Sequence, residues 1–491
     1  MTVDTSGEQP VAKPGKSVLR RLRDGFGWSV LGNLGWRSLT AASSVLVARV
    51  LGPVGFGELG ILRSTANILT TLAVFRLGTT ANKHVAEFRE TDPVRAARIL
   101  SMTLFVSAVL CALFGAVLLF GGGYIATTYL NNPGLSLPLR VGSVFMFCQA
   151  YSAVRETILI GTEQFRAYAR VNIWKGATTA VLMPVGAWFW GVLGATLGLS
   201  LAALLSFVIL EIHVRKALAM HGIKGNLPFR EWRSEVSILW TFALPGLITG
   251  LMTAGCYWLG RVHLAGAENG FQELGLFEAA NQWRTMILFV PGSLSLVALP
   301  IIAGTYGQAD KSEFHKAVSL QFNGILAIAL PVTVVTICLS DWLMVIFGDA
   351  YDDGAMVLPA LMISVALFAL NQSLRKIMDG TGHVWRHTAL SVIWALAFLL
   401  PLYFIWEEPT AISLAYAYLV AEAVMALASL AYIIVLLSRQ FLRQTAIPIL
   451  IAIGSSGLSV FAFSEGSIAL MAVSVILSLA PLGYIYLEYR T

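Results

Sequence analysis

Arginine keeps its charge in any surroundings and grips phosphate oxygens with a planar fork of donors. In this chain Arg37, Arg63 and Arg284 stand inside long apolar runs. A charge in mid-membrane costs at least about 2.5–3.5 kcal/mol on insertion scales, so such a side chain faces a cavity or a partner. Arg37 lies about ten residues into its run, which at 1.5 Å per residue is ~15 Å deep. Asn33, Arg37, Thr40 and Ser44 follow i, i+4, i+7, i+11 spacing and share one helix face. Arg63, Asn67 and Thr70 do the same, as do Glu278, Asn281, Gln282 and Thr285. Together Arg37, Arg63 and Arg284, with Asn33, Asn67 and Gln282 beside them, would line a cationic cavity suited to a pyrophosphate group. The structural alternative is an Arg63–Glu278 ion pair, or an arginine reaching out to the interface.

Acids inside apolar runs are candidates for cation coupling. Glu278 and Glu422 qualify, as sites for H+ or Na+, and a hydrogen bond to Tyr418 is the alternative for Glu422. Arg76 lies nearer the inner end of its run, where it either gates or snorkels. Arg155, next to Glu156, is a candidate for a gate contact or a local pair. Arg49, Arg140 and Arg261 fall at outer edges and read as helix-end markers.

The helices that must carry these residues are membrane spans. The mean hydropathy is +0.75 and only 12% of the 491 residues are charged, about half the share in soluble proteins. Apolar runs of about 20 residues give roughly fourteen spans: 27–50, 57–81, 99–121, 138–160, 171–190, 192–214, 237–260, 274–302, 317–346, 355–378, 387–406, 411–437, 447–463 and 467–487. With the amino terminus inside, 25 of the 33 Lys and Arg fall in inner segments, and the outer loops carry acids instead. Both termini are then cytoplasmic in a multi-pass cell (plasma or inner) membrane protein. The first span follows a basic stretch without a cleavage pattern and reads as a retained anchor. The net charge of +6 is spread in short clusters and does not indicate nucleic acid. Cys111, Cys148, Cys256 and Cys338 lack metal-ligand spacing and read as buried small hydrophobes.

An internal repeat organises the spans. GFGELG at 55–60 and GFQELG at 270–275 are offset by 215 residues, and that offset matches Arg63 with Glu278, Asn67 with Gln282, and Thr70 with Thr285. A weaker echo joins Gly161-Thr162 to Gly380-Thr381, each followed by a proline inside the next helix, Pro184 or Pro401. The expected organisation is a cytoplasmic tail (1–26), a six-helix lobe (27–217), an interfacial linker (218–236), a second parallel six-helix lobe (237–437) and two further helices (438–491). Two parallel repeats with a site between them near the midplane are a transporter plan. The linker, with Pro228, Phe229 and Trp232, reads as a helix lying on the membrane.

The runs VARVLGPVGFGELGIL (47–62), LGTTANKHVAE (77–87), GFQELGLFEAANQW (270–283) and GTGHVWRH (380–387) resemble the multidrug/oligosaccharidyl-lipid/polysaccharide (MOP) exporter superfamily. Within it they are most similar to the flippases for polysaccharide and lipid-linked oligosaccharide. The resemblance covers most of 27–437. It implies alternating access between two lobes and transfer of a polyprenyl-pyrophosphate-linked sugar from the inner to the outer leaflet. It also implies partnership with the bilayer and with enzymes of polysaccharide assembly.

Two rival functions are weighed. A cation-coupled multidrug exporter of the same superfamily favours an acidic cavity, but the first span holds no Asp or Glu and the in-span charges lean basic. A membrane glycosyltransferase or polymer ligase needs a sizeable loop with carboxylates or a metal site. The loops here are short, with no HExxH, DxD or phosphate-binding Gly-rich motif. No enzyme activity and no cofactor beyond a coupling ion is expected.

Overall fold

The computed structural model describes residues 18–74, 77–88, 92–223, 227–236, 244–288, 311–380, 384–404, 408–437 and 439–482. Those residues are helical with short connections. In chain order the helices are α1 (Val18–Val74), α2 (Leu77–Phe88), α3 (Pro93–Tyr124), α4 (Ser136–Gly161), α5 (Phe165–Met220), α6 (Phe229–Trp232), α7 (Leu244–Ala265) and α8 (Gly270–Ile287). They continue with α9 (Lys311–Cys338), α10 (Ser340–Val345), α11 (Leu358–Gly380), α12 (Val384–Phe404), α13 (Ala411–Leu437), α14 (Arg439–Ser464) and α15 (Ile468–Ser478).

Eight helical stretches among the described residues are long and apolar enough to cross a membrane, against the fourteen spans expected. Two of the eight, Gly27–Val74 and Phe165–Met220, run to 48 and 56 residues, more than twice the about 20 that a crossing needs. Each is broken near its middle by a glycine at positive φ. Gly52 (φ 67°) breaks α1, and Gly191 (φ 57°), after Trp190, breaks α5. A side chain would strain the backbone at both places. After Gly191 the chain doubles back, because Gly186 faces Gly194 and Leu182 faces Gly198 across the hairpin. The expected break between spans five and six therefore falls where the sequence put it.

The interfacial helix expected in 218–236 is reduced. α5 runs on to Met220, and among the described linker residues only the single turn of α6 and the 3-10 turn Arg233–Glu235 are helical. Trp232 is buried against Ile99 and Met102 and contacts the Phe105 ring. Of the two aromatic residues that suggest membrane contact, Trp232 docks on α3 and Phe229 stays exposed.

The two repeat strings pack against each other. A Cβ on Gly57 would lie 2.0 Å from the Phe271 carbonyl oxygen, and one on Gly275 would lie 1.9 Å from the Pro53 carbonyl oxygen. α1 and α8 therefore approach as closely as their backbones allow, the use that small residues have at helix contacts in lipid. More bonds join the two halves of the chain at this same end. Arg49 donates to the Ile346 carbonyl at 2.9 Å, and the Tyr351 hydroxyl donates to the Ala48 carbonyl at 3.0 Å. Phe56 completes the seam against Phe347 and Tyr351.

Any side chain at Gly57 must push α1 and α8 apart. Gly57→Val is expected to lower stability by about 1–3 kcal/mol, as overpacking does. Gly121→Ala, where nothing lies within 4 Å of the added Cβ, is expected to be neutral. Thermal unfolding of both variants in detergent checks this.

Candidate functional site

Below the Gly57–Gly275 seam the halves separate around a cavity of about 610 Å3. Its wall comes from both segments of α1, from α4 and α5, and from α7, α8 and α13. Arg37, Arg63, Arg284, Asn33, Asn67, Gln282 and Glu278 all line it. Seven of the ten residues singled out from the sequence thus meet in one space.

Five cations line the cavity (Arg37, Arg63, Lys175, Arg261, Arg284) against two carboxylates (Glu156, Glu278). Both carboxylates are engaged. Lys175 reaches Glu156 at 3.1 Å, and Arg261 Nε reaches Glu278 Oε1 at 2.6 Å. Glu278 lies in space left by Gly60, where a Cβ would come within 2.6 Å of the Glu278 Cγ. The salt bridge of Glu278 is thus to Arg261, within the C-terminal half, and its interaction with Arg63 is electrostatic without a hydrogen bond. Arg63 makes no ion pair or side-chain hydrogen bond among the described residues.

Arg284 is 6% exposed. One of its terminal nitrogens donates to the Tyr257 hydroxyl at 3.2 Å, while its Nε has no partner. The Tyr257, Tyr418 and Phe368 rings surround the guanidinium, with the closest centroid, that of Tyr418, at 4.8 Å. Ring faces stabilise a desolvated cation without neutralising it. Arg37 bridges the halves, donating from α1 to the Thr285 carbonyl of α8 at 3.0 Å. On the N-terminal side Asn33 accepts from the Tyr168 hydroxyl at 3.3 Å.

A second cavity, of about 400 Å3, lies between Thr70, Gly78 and Thr157 of the N-terminal half and Leu247, Gly250 and Arg375 of the C-terminal half. Thr70 and Ala153 border both cavities. The halves thus meet at the Gly57 end and are parted by contiguous space toward the other end.

The remaining sequence candidates lie elsewhere. Glu422, 2% exposed, faces a smaller space of about 70 Å3 lined by Asn371, Trp394, His387 and Arg375 among others, which borders the central cavity at Tyr257 and the second cavity at Thr249, Thr253 and Arg375. It accepts from Asn371 Nδ2 at 2.6 Å and Trp394 Nε1 at 3.1 Å. Tyr418, the partner considered for it, is bonded to Arg261 at 2.9 Å instead. Arg155 does not line the central cavity and is held by Glu211 and the Tyr151 hydroxyl, so the local pair is realised with a residue of α5 rather than with Glu156. Arg76 lies outside the described residues.

Sequence reasoning missed Arg261, Lys175, Glu156, Tyr257 and Tyr418. Arg261 was read as a helix-end marker, yet it is 7% exposed and central to the wall. Lys175 falls inside the span expected at 171–190, in a basic stretch with Arg166 and Arg170 that reads as an inner segment. Its place inside that span was the available signal.

A model of the family described as polysaccharide biosynthesis protein matches residues 22–305. The EPS I polysaccharide export inner membrane protein EpsE of Ralstonia nicotianae is 27% identical over 332 residues, which cover 65% of this chain and 72% of EpsE. Among solved structures, the lipid II flippase MurJ in an inward closed conformation superposes with a TM-score of 0.65 at 13% identity, covering 94% of this chain and 98% of MurJ. An inward-facing multidrug resistance MATE family transporter of the MOP superfamily gives 0.58 at 14% identity, covering 85% and 97%. The fold is therefore that of MATE-like transporters, and these relatives and neighbours are transporters, export proteins and flippases rather than enzymes.

The Arg261–Glu278 pair is buried, and removing one partner leaves an uncompensated charge. Glu278→Gln is expected to cost about 3 kcal/mol, and the double variant Arg261→Met/Glu278→Met to recover most of that loss. A double-mutant cycle on unfolding in detergent measures the coupling.

Proposed function

Because the chain belongs to the polysaccharide biosynthesis protein family, we propose that it is an inner-membrane flippase carrying a lipid-linked, pyrophosphate-bearing oligosaccharide or cell-envelope precursor to the outer leaflet. The observation that carries this reading is the charge of the central cavity. Two of its five cations are held in salt bridges by carboxylates, while Arg63 and Arg284 form no salt bridge among the described residues and feel Glu278 and Glu422 only at longer range. Guanidinium groups held in that way attract phosphate oxygens, with Arg37 as the third member of the site. An organic cation would meet repulsion there, which disfavours the multidrug exporter.

The alternating lobes are residues 27–217 and 237–437, with 438–491 as two added helices. The Lys and Arg distribution assigns the parted end to the cytoplasm. On that assignment the structure is inward-facing, and the Gly57–Gly275 seam is the outer gate. Substrate enters from the inner leaflet, its pyrophosphate docks on Arg37, Arg63 and Arg284, and opening of the outer seam releases it. Glu422, enclosed with Asn371 and Trp394, is assigned the coupling of this motion to H+ or Na+.

Purified protein in liposomes is expected to move a polyprenyl-pyrophosphate oligosaccharide between leaflets. Arg37→Ala, Arg63→Ala and Arg284→Ala, matched for insertion, are each expected to reduce transport about 10- to 100-fold, the loss of one hydrogen-bonded charge contact of about 1.5–3 kcal/mol. Efflux of an organic cation without movement of any anionic lipid would replace this reading with the multidrug one.

Glu422→Gln is expected to abolish the response to an imposed H+ or Na+ gradient while leaving substrate affinity within about twofold, a difference well below the tenfold step of 1.4 kcal/mol. Transport that still follows the gradient would remove Glu422 from the coupling role.

A further inference from the structure

The cavity holds more than unspent positive charge. Six carboxamide side chains line it, and three of them (Asn67, Gln149 and Gln282) make no side-chain hydrogen bond among the described residues. A fourth, Asn281, is 8% exposed, and its Nδ2 leans on Glu278 Oε2 at 3.4 Å while its Oδ1 has no partner. A carboxamide offers two donors and an acceptor on one rigid plane. Asn67 is exposed and Gln149 and Gln282 are half-buried along the cavity, so their donors and acceptors are open to a ligand, and the kind of ligand needs a reason.

Their placement supplies it. Asn67 follows Arg63 by one turn on α1, and Gln282 follows Glu278 by one turn on α8. The repeat offset makes the two amides counterparts, one from each half, a turn beyond the level of Arg63 and Glu278. Gln149, on α4, belongs to the same wall. Phosphate oxygens only accept hydrogen bonds and are served by arginines. Sugar hydroxyls both donate and accept, which a guanidinium cannot match and a carboxamide can.

We propose that Asn67, Gln149 and Gln282 form a neutral subsite that reads hydroxyl groups of the first sugar attached to the pyrophosphate. Resting on the flippase reading, the subsite separates recognition of the glycan from recognition of the anion. Asn67 and Gln282 come from opposite halves, so a sugar held by both spans the surfaces that must move.

Two probes separate this from the parent reading: polyprenyl pyrophosphate carrying one hexose, and the same polyprenyl pyrophosphate bare. Binding of both to protein in nanodiscs would be measured for the wild type, Asn67→Ala, Gln149→Ala, Gln282→Ala and Arg284→Ala. The hexose-bearing lipid is expected to bind the wild type more tightly than the bare one. Each amide variant should weaken it about 5- to 10-fold, the loss of about one net hydrogen bond, and leave the bare lipid unchanged. Arg284→Ala should weaken both. Amide variants that leave both probes unchanged, or weaken both equally, overturn the subsite while the flippase reading stands. A wild type that binds neither probe removes the flippase reading and the subsite together. Thermal unfolding of each variant identifies any that fails to fold, and Asn67→Gln, which keeps the amide chemistry, is expected to retain part of the preference.

Discussion

Charge inside a membrane has to be compensated, and the central cavity compensates only part of its own. Glu156 is held by Lys175 and Glu278 by Arg261. Those pairs anchor each carboxylate within its own half of the chain and leave Arg63 and Arg284 for something else. The Arg284 cage shows how such a charge survives without a salt bridge. Ring faces and a tyrosine hydroxyl surround it, and the Glu422 carboxylate acts on it from beyond salt-bridge distance. A carboxylate added beside it would raise stability and remove the capacity to hold an anionic ligand.

The rest of the architecture serves this charge arrangement. Glycines let α1 and α8 touch backbone to backbone, which sets Arg63 and Glu278 in the same cavity and gives the Glu278 carboxylate room beside Gly60. The contact seals one end, and the Arg49, Ala48 and Phe56 contacts extend the seal across both halves. The cavity that continues past Thr70 keeps the other end apart. The seam is built from backbone carbonyls, glycine faces and the buried rings of Phe56, Phe347 and Tyr351, and in the proposed cycle it is the contact that opens and re-forms.

Much of this was legible in the sequence, for an identifiable reason. Arg37, Arg63 and Arg284 interrupt apolar runs, and the only helix face that can carry such residues in lipid is one turned to a cavity or a partner. Helical spacing then carried Asn33, Asn67 and Gln282 to the same wall. The break at Gly191 was legible because a glycine falls where the apolar run exceeds one bilayer. Which carboxylate meets which arginine was not legible, since Arg261 and Glu278 are 17 residues apart on α7 and α8 and meet only through the packing of those helices. Lys175 and Glu156 lie near span ends, where hydropathy assigns charge to a loop. Trp232 misled because an aromatic residue in a basic linker has the composition of a membrane anchor, while its destination, the surface of α3, is a tertiary fact.

A ligand shifts a two-state equilibrium only by the difference in its affinity for the two states. A cavity whose polar groups were all satisfied internally would bind weakly in either state and leave the halves where they are. Here the unsatisfied groups are divided between the halves: Arg63, Asn67 and Gln149 on one side, Arg284, Asn281 and Gln282 on the other. A ligand that engages both sets senses their separation, so its binding free energy changes as the halves move. In the proposed cycle a pyrophosphate bound to one half alone could be held but could not bias the motion. The matching polar stripes give each half its own share of hydrogen-bonding capacity, and the residues at the 215-residue offset, arginine opposite glutamate and asparagine opposite glutamine, make the two shares unlike. That asymmetry lets one half keep its carboxylate in a salt bridge with Arg261 while the other presents Arg63 with no salt bridge among the described residues.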